Sequence, residues 1–399
     1  MASPTILPFL TEAAYAERVG AGRQVIYAGE TVEGGTPNVF PEPEPDFYDL
    51  APLRYDFPPV TLTRLRDVVV RGKSNCLTAP DAILRHGLLD LSRELSPELF
   101  YRRLQLTGDR KAGAWAGDDP FNVSYLPEAV VATDGVAFNY AHWLTEVLPR
   151  IAASAADGAL AAVPLLVDTE LHANIVRSIA LVAGPDRPLH RLAPEAAVRI
   201  GVAHNVSPTG YVPFKPLPDS QGVGICQGLF SGQALRQMVG RLRAHAGGGE
   251  GPRPKLLIRR NSAMRHILNE EAVAEALVAR GFVVVEPERL SLEEQVALYS
   301  RAQMVVGATG AAVANLIFCQ PDCPTVVMMP KFKETAYWYW RRMAAAAGAG
   351  PVFHVSGEQV APLDDPYHPL ALHQDFAMEV KDVLAAVDAA TDAIGAFSG

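Results

Sequence analysis

A histidine and a glutamate four positions apart, His142 and Glu146, stand in the otherwise largely apolar stretch Phe138 to Ile151. Residues at this spacing share one face of a helix, so the two side chains are expected to meet. Histidine ionises near pH 6.5 and can take a proton from a hydroxyl, while a carboxylate beside it orients the imidazole. The pair therefore predicts general-base chemistry, with either side chain as the base. An internal hydrogen bond that merely satisfies two core groups is the alternative.

The rest of this stretch supplies candidate contacts and a core face. Asn139, Tyr140 and Trp143 are candidate contacts to a ligand. A tryptophan ring can stack on a sugar, although at this position it packs into a core at least as often. Pro149 lacks an N–H and would crowd the carbonyl of Thr145, so the helix is expected to kink or stop there. The side predicted to face the core consists of Leu144, Val147, Leu148 and Ile151.

A second chemistry, anion binding, is predicted further along the chain. The stretch "VVGATGAAVAN", Val305 to Asn315, indicates a strand, a Gly-bounded turn and a helix whose N-terminus attracts phosphate. Gly310 and Ala311 allow the backbone to approach a ligand closely. The alternative is a turn that serves packing only. A guanidinium group can bind two phosphate oxygens at once. Three arginines lie at the end of the predicted strand "KLLIRR" or shortly after it: Arg259, Arg260 and Arg265. A solvated basic loop capped by Asn269 and Glu270 is the alternative for at least one of them.

The elements that must position these groups form two α/β halves. Strands alternate with helices from Val130 onward, which predicts parallel sheets that bind ligands at their carboxyl edges. The Gly- and Pro-rich stretch Ala246–Pro254 predicts a hinge near Gly249. We expect an N-terminal domain, 1–248, in which residues 1–125 are loop- and β-rich and show no sign of chemistry, while residues 126–248 are α/β. A C-terminal domain, 249–399, is expected to close with a helix that carries Phe376, Val380, Val383, Val387 and Ile394.

The composition excludes several classes of protein. Lys+Arg 35 against Asp+Glu 44 gives a net charge of -9, and without a basic run duplex nucleic acid is not expected as a partner. The uncharged segment Ala302–Pro321 contains Gly, Gln, Asn and Pro, which favours a strand, a turn and a buried helix over a membrane span. The N-terminal sequence does not resemble a secretory signal, so a cytoplasmic location is expected. Free thiols and no metal site are predicted from the scattered Cys76, Cys226, Cys319 and Cys323.

Three blocks in this order, "NYAHWLTEVLPR", "RR....RHILNEE" and "GFVVVEPERLSLEEQVALYSRAQMVVGATGAAVANLIF", resemble glycosyltransferase family 61 of the bacterial, capsular-polysaccharide type. The resemblance covers about Val130 to Tyr337. It implies a GT-B-like fold, with two Rossmann-like domains facing a cleft, and inverting transfer from a nucleotide sugar without a bound metal or other cofactor. By this resemblance the domain 1–248 is the acceptor side, with Asn139, Tyr140 and Trp143 as acceptor contacts, and the domain 249–399 binds the donor. The family's motif positions fall on Arg265, Asn269, Glu270, Glu288, Gln295, Gly310 and Asn315.

One position departs from the family pattern. The family commonly has His between the two glycines of this turn, where this chain has Thr309. Threonine can hydrogen-bond a phosphate but cannot carry a positive charge, so the donor contact is weaker, remodelled or moved to an arginine. A shifted donor preference and a loss of activity are both consequences to test.

The resemblance implies a hexosyl- or pentosyltransferase that moves a sugar, UDP-linked by expectation, to a hydroxyl of a glycan or glycolipid. A glycolipid acceptor would bring the protein to the periphery of the inner membrane. Two alternatives stay open from the residues. A nucleotide-sugar oxidoreductase or epimerase would share the α/β halves but lacks its glycine fingerprint here. A non-catalytic subunit that binds sugar nucleotides or glycans is the other alternative, and Thr309 motivates it.

Overall fold

The computed structural model describes residues 5–43, 50–116, 123–217, 228–247, 251–259, 264–331, 338–361 and 373–397. The chain divides into two compact units. The first unit comprises Met1–Glu30 and Pro58–Val223, and the second comprises Thr31–Phe57 and Gly224–Gly399. The second unit thus begins before the predicted hinge, of which residues 248–250 lie outside the described residues. The acceptor and donor roles assigned to the two halves stay a prediction.

Strands predominate up to Val131, and strands and helices alternate from Leu229 onward. In chain order the strands are β1 (Leu7–Thr11), β2 (Arg23–Tyr27), β3 (Glu30–Gly34), β4 (Asn38–Phe40), β5 (Leu53–Phe57), β6 (Val60–Arg71), β7 (Leu77–Ala79), β8 (Ala82–Arg85), β9 (Glu94–Leu95), β10 (Leu104–Leu106), β11 (Ala112–Trp115), β12 (Val123–Val131), β13 (Leu165–Asp168), β14 (Leu189–Leu192), β15 (Ala197–Val206), β16 (Gly210–Tyr211), β17 (Lys215–Pro216), β18 (Leu229–Phe230), β19 (Lys255–Ile258), β20 (Phe282–Val285), β21 (Met304–Ala308), β22 (Thr325–Pro330), β23 (Val352–Gln359) and β24 (Phe376–Ala377). The α-helices are α1 (Glu12–Val19), α2 (Pro97–Phe100), α3 (Tyr140–His142), α4 (Leu148–Ser154), α5 (Ala173–Ala183), α6 (Gly232–Ala246), α7 (Glu270–Val278), α8 (Leu292–Ser300), α9 (Trp338–Ala347) and α10 (Val380–Phe397). A π-helix spans Trp143–Val147, and 3-10 helices span Gly158–Leu160, Pro287–Arg289 and Ala311–Phe318.

The first unit is built on one large sheet with the order β10-β11-β1-β8-β7-β6-β15-β12-β13-β14, and β2 also pairs with β6. The strands β15, β12, β13 and β14 run parallel, whereas β6 is antiparallel to β15. If β12, β13, β14 and β15 are numbered 1 to 4 along the chain, their order in the sheet is 3-2-1-4. The direction in which successive strands are added therefore reverses between β12 and β15. Ligands of such sheets bind outside the carboxyl ends of the strands at the point of reversal.

The second unit contains a smaller sheet with the order β20-β19-β21-β22-β23-β24, and β4 also pairs with β23. The strands from β20 to β23 are parallel. Counted from β19, their order is 2-1-3-4-5, so the reversal lies between β19 and β21. Val306 of β21, Val326 of β22 and Val383 of α10 belong to one buried cluster beneath this sheet. This packing explains why these strands are almost entirely apolar.

The mixed α/β class predicted from the sequence is confirmed, and so are most of the elements it was based on. Helix α8 carries both bonds of the predicted capping box between Ser291 and Glu294. One assignment is wrong: Phe376 lies in β24 rather than in the C-terminal helix. The helix predicted after the Gly-bounded turn is present over Ala311–Phe318 as a 3-10 helix. Among the described residues, no helix is long and apolar enough to cross a membrane.

Candidate functional site

The segment that carries His142 and Glu146 is a helix with one widened turn. Asn139 begins it, because its side chain accepts a hydrogen bond from the N–H of Ala141 at 3.0 Å. Through the π-helix the bonds then shift by one residue, and Leu148 donates to the carbonyl of Trp143. The helix does not stop at Pro149, which was one of the two predicted outcomes, but continues to Ser154. Pro149 falls in the first turn of the new α segment, where no N–H is needed.

The predicted contact within the pair is confirmed. Nδ1 of His142 is hydrogen-bonded to Oε1 of Glu146, and Oε2 of Glu146 accepts from the backbone N–H of Val212 at 3.2 Å. The side chain of His142 keeps 21% of its exposure, against 8% for Glu146. Nε2 of His142 makes no hydrogen bond within the portion of the chain that the structure describes. The carboxylate thus fixes one ring nitrogen and leaves the other to receive a proton.

The surroundings favour the charged form of His142. Burial alone lowers the pKa of the imidazole, but the charge and hydrogen bond of Glu146, together with Asp134, outweigh it. The net pKa of His142 is therefore raised above 6.5. A base with a raised pKa holds a transferred proton more firmly, and it is in its active neutral form only above that pKa.

The pair belongs to a larger buried polar cluster at the point where the strand order of the first unit reverses. Asp134 follows the carboxyl end of β12, and its backbone N–H donates to Asp168 at the end of β13 at 2.9 Å. Arg150 donates to the carbonyls of Val206 and Val131 at 3.0 and 3.3 Å, which joins the ends of β15 and β12. Sequence reasoning missed the two aspartates. Asp168 ends a strand that the sequence predicts, but β12, which precedes Asp134, was not predicted as a strand.

A cavity of about 20 Å³, room for about one water molecule, lies beside Glu146. Its lining includes Glu12, Asn75 and His86, so residues 1–125, whose sequence indicated no chemistry, contribute to the surroundings of Glu146. The sequence does not indicate this position, because the three residues come from separate chain segments that only the folded sheet brings together. Among the described residues, no group of three or more His, Cys, Asp or Glu side chains could hold a metal ion.

The buried position of Asp134 predicts a dependence of stability on pH. Burial, and then the charge of Glu146, raises its pKa from 3.8 to about 7. Between these values the carboxyl takes up a proton only in the folded state, so the free energy of unfolding falls as the pH rises through this window. The Asp134→Asn variant should reduce the fall between pH 5 and pH 8 by at least about 1.4 kcal/mol, the value of one pKa unit. Urea unfolding at both pH values measures this, and the exposed Asp186→Asn is the control. An unchanged pH slope in Asp134→Asn would contradict the assignment.

The three predicted acceptor contacts lie differently from one another. Trp143 is fully buried, and its indole N–H donates to the hydroxyl of Ser178 at 2.8 Å. Its ring is therefore part of the core and is not presented to a sugar. Asn139 and Tyr140 are half-buried, and the core-facing residues predicted on this helix are all buried: Leu144, Val147, Leu148 and Ile151.

In the second unit, the register of the sheet brings two predicted donor groups together. Ile258 at the end of β19 pairs with Gly307 of β21, so Arg259 and the turn Thr309–Ala311 follow neighbouring parallel strands at the same edge. This edge is the point of reversal of the strand order. The guanidinium of Arg259 contacts Glu270 at 3.3 Å and also Glu271, and hydrogen bonds from these carboxylates raise its pKa.

Several predicted donor residues use their side chains within the protein. Asn269 forms two hydrogen bonds with the backbone of Met378, at 2.7 and 3.0 Å. Asn315 is fully buried and donates to Gln295 at 2.7 Å. The hydroxyl of Thr309 accepts from the indole N–H of Trp340 at 3.1 Å. These contacts hold neighbouring segments of the second unit together. In the sequence, the amides of Asn269, Gln295 and Asn315 could not be distinguished from amides that bind a ligand.

The remaining predicted donor residues differ in exposure and in backbone geometry. Arg260 lies outside the described residues. Arg265 is half-buried, with its backbone in the left-handed region at φ 60. Glu288 is exposed in the 3-10 helix Pro287–Arg289, Ala311 is half-buried at the start of the next 3-10 helix, and Gly310 precedes it with extended backbone at φ 164. Glycine is therefore not required at position 310 by its backbone angle.

Comparison with known proteins bears on these two groups of residues. Residues 140–328 match the family model described as Glycosyltransferase 61. The match includes the His142–Glu146 pair, Arg259 and the turn after β21, and it falls within the range over which the sequence resembles this family. No curated protein matches the chain.

Proposed function

We propose, from the premise that residues 140–328 belong to the Glycosyltransferase 61 family, that the protein is an inverting transferase of the GT-B kind. It moves a hexosyl or pentosyl group from a UDP-linked donor to a hydroxyl of a glycan or glycolipid, with no metal ion. The GT-B arrangement, the donor base and the cytoplasmic location come from the family resemblance and the sequence. The family itself suggests the transferase activity.

In this reaction Nε2 of His142 takes the proton of the acceptor hydroxyl as its oxygen attacks the anomeric carbon. The bond between that carbon and the diphosphate oxygen breaks, and the diphosphate leaves with the electron pair. The hydrogen bond between Nδ1 and Glu146 supports this role, because it orients the ring and stabilises the imidazolium that forms. Glu146 is the second candidate for the base, although both of its carboxylate oxygens already accept hydrogen bonds.

One observation supports the proposed donor site. Arg259 and the Thr309–Ala311 turn follow neighbouring strands at the point where the strand order of the second sheet reverses. A guanidinium and backbone N–H groups stabilise the charge that develops on a departing diphosphate. Because the hydroxyl of Thr309 is buried and bonded to Trp340, it supports a donor contact that has moved to an arginine. Phosphate oxygens would replace the two glutamates as partners of Arg259.

Binding of UDP tests the donor side. Arg259→Ala should raise the dissociation constant for UDP by at least about tenfold, since it removes a charge-assisted hydrogen-bond donor. Isothermal titration measures this constant. Arg280→Ala is the matched control, because Arg280 lies after α7 and pairs with the exposed Asp388. An equal effect of both variants, or no binding of UDP, would contradict the proposal.

Release of UDP from UDP-sugars, with and without saccharide acceptors, then tests turnover. The oxidoreductase alternative predicts instead that the protein binds NADH and changes its absorbance near 340 nm. The non-catalytic alternative predicts that UDP binds without any turnover. Neither alternative has a specific contact in its favour, whereas the hydrogen-bonded His142 supports the transferase.

A further inference from the structure

An open groove of about 440 Å³ lies on one face of the large sheet of the first unit. Four neighbouring strands form its base: β2, β6, β15 and β12. Their register fixes which side chains share this face. Arg64 of β6 pairs with His204 of β15, and Glu128 of β12 pairs with Val202, two residues before His204. The groove and the cavity beside Glu146 share no lining residue among those described.

The groove presents polar atoms that a ligand can reach. His204 is buried to 8% exposure, and its Nε2 contacts Glu128 at 2.7 Å. The other ring nitrogen, Nδ1, makes no hydrogen bond with any residue that the structure describes. Asp157 uses one carboxylate oxygen to accept from the N–H of Ala159 at 2.9 Å. Its second oxygen and Nδ1 of His204 are thus available to a ligand.

The groove carries charges of both signs, and these select the class of ligand. Arg64 brings a positive charge, while Glu128 and Asp157 bring two negative ones. The side chain of Arg23 lies on the other face of the sheet, where it donates to Thr61. A phosphate would be attracted by Arg64 but repelled by the two carboxylates, and an apolar ligand would strip water from all three groups. A hydroxyl group donates to a carboxylate and accepts from a guanidinium, so it satisfies both signs. This pattern favours a neutral ligand with many hydroxyl groups.

The floor and the size of the groove fit the same ligand. Leu62 and Leu160 are 9% and 4% exposed, and they supply an apolar surface against which the C–H face of a sugar ring packs. The volume of about 440 Å³ falls within the roughly 300–1,000 Å³ of small-molecule sites. We infer that this groove is a saccharide-binding site for a neutral sugar unit. This inference goes beyond the transfer reaction, because the groove would hold a glycan through residues that take no part in the proposed chemistry.

Saturation-transfer NMR on the full chain tests the inference. The probes are the methyl glycosides of glucose, galactose, mannose and N-acetylglucosamine, and at least one should give a signal. Arg64→Ala should raise the dissociation constant of the glycoside that gives a signal by at least about tenfold, since one charged hydrogen-bond donor is lost. Arg66→Ala is the matched control, because Arg66 is an exposed arginine on the same strand that does not line the groove. Circular dichroism of both variants verifies that they fold.

The remaining outcomes overturn the inference. No signal from any of the four glycosides excludes a neutral sugar site, and displacement of the sugar by inorganic phosphate indicates an anion site instead. An equal loss in Arg64→Ala and Arg66→Ala shows that the groove is not where the sugar binds. His142→Ala should leave the sugar signal unchanged. Failure of the groove and failure of the proposed transfer reaction are therefore separate results.

Discussion

Replacing His142 with alanine is expected to lower kcat for sugar transfer by about 10²–10⁴-fold, the usual contribution of a general base. The dissociation constant for UDP should stay the same, because the predicted diphosphate contacts lie on residues of the second unit. The imidazole is partly exposed and, among the described residues, hydrogen-bonded to Glu146 alone, so its loss should change the fold little. Release of UDP in the presence of an acceptor measures the effect. A variant with an unchanged kcat would rule out His142 as the base.

The pH dependence of Glu146→Gln distinguishes the two candidates for the base. Glu146 raises the pKa of His142 through its charge and hydrogen bond. If His142 is the base, kcat rises with pH through that pKa, and Glu146→Gln moves the rise to lower pH while activity persists. If Glu146 is the base, Glu146→Gln removes the activity at every pH. Profiles of kcat from pH 5 to 9 for both proteins decide between these outcomes.

Hydrophobic periodicity was sufficient to predict the elements that position both groups. The alternation of Val-rich strands with amphipathic helices predicted β13, β15, β19 and β21, because the sequences of these strands are largely apolar. The spacing of His142 and Glu146 likewise predicted their contact, since it depends only on local helix geometry. Groups that follow parallel strands were predictable for the same reason: strand ends meet at one edge.

Contacts that depend on chain segments far apart could not be predicted in this way. Glu12 lies beside Asn205, and β4 joins the sheet of the second unit through β23, although nothing in the N-terminal sequence indicates either partner. The π-helix around Glu146 was also missed, because a widened turn leaves the order of apolar and polar residues unchanged. Amides such as Asn269 are ambiguous until the approach of Met378 shows which backbone groups they serve.

Arg150 shows how strongly the first unit depends on these distant contacts. Its side chain is only 6% exposed and donates to the carbonyls of Val131 and Val206 and to Oδ1 of Asn205, the last at 3.1 Å. It also offsets the charge of the buried carboxyls of Glu12 and Asp134, whose pKa values burial raises. Removing a buried cation in such a setting leaves the carboxylates without a compensating positive charge and the two carbonyls without this donor.

The Arg150→Met variant is therefore expected to lower the free energy of unfolding of the first unit by about 3–5 kcal/mol at pH 8. The loss should be smaller at pH 5, where Asp134, with its pKa raised to about 7, is protonated and no longer needs the cation. Hydrogen exchange of the amides in β12 and β15 measures this unit separately from the second. Arg66→Met, an exposed arginine of β6, serves as the control and should change stability by less than about 0.5 kcal/mol. A loss below about 1 kcal/mol at pH 8, or one that grows toward pH 5, would mean that the buried carboxyls are held by other partners than Arg150.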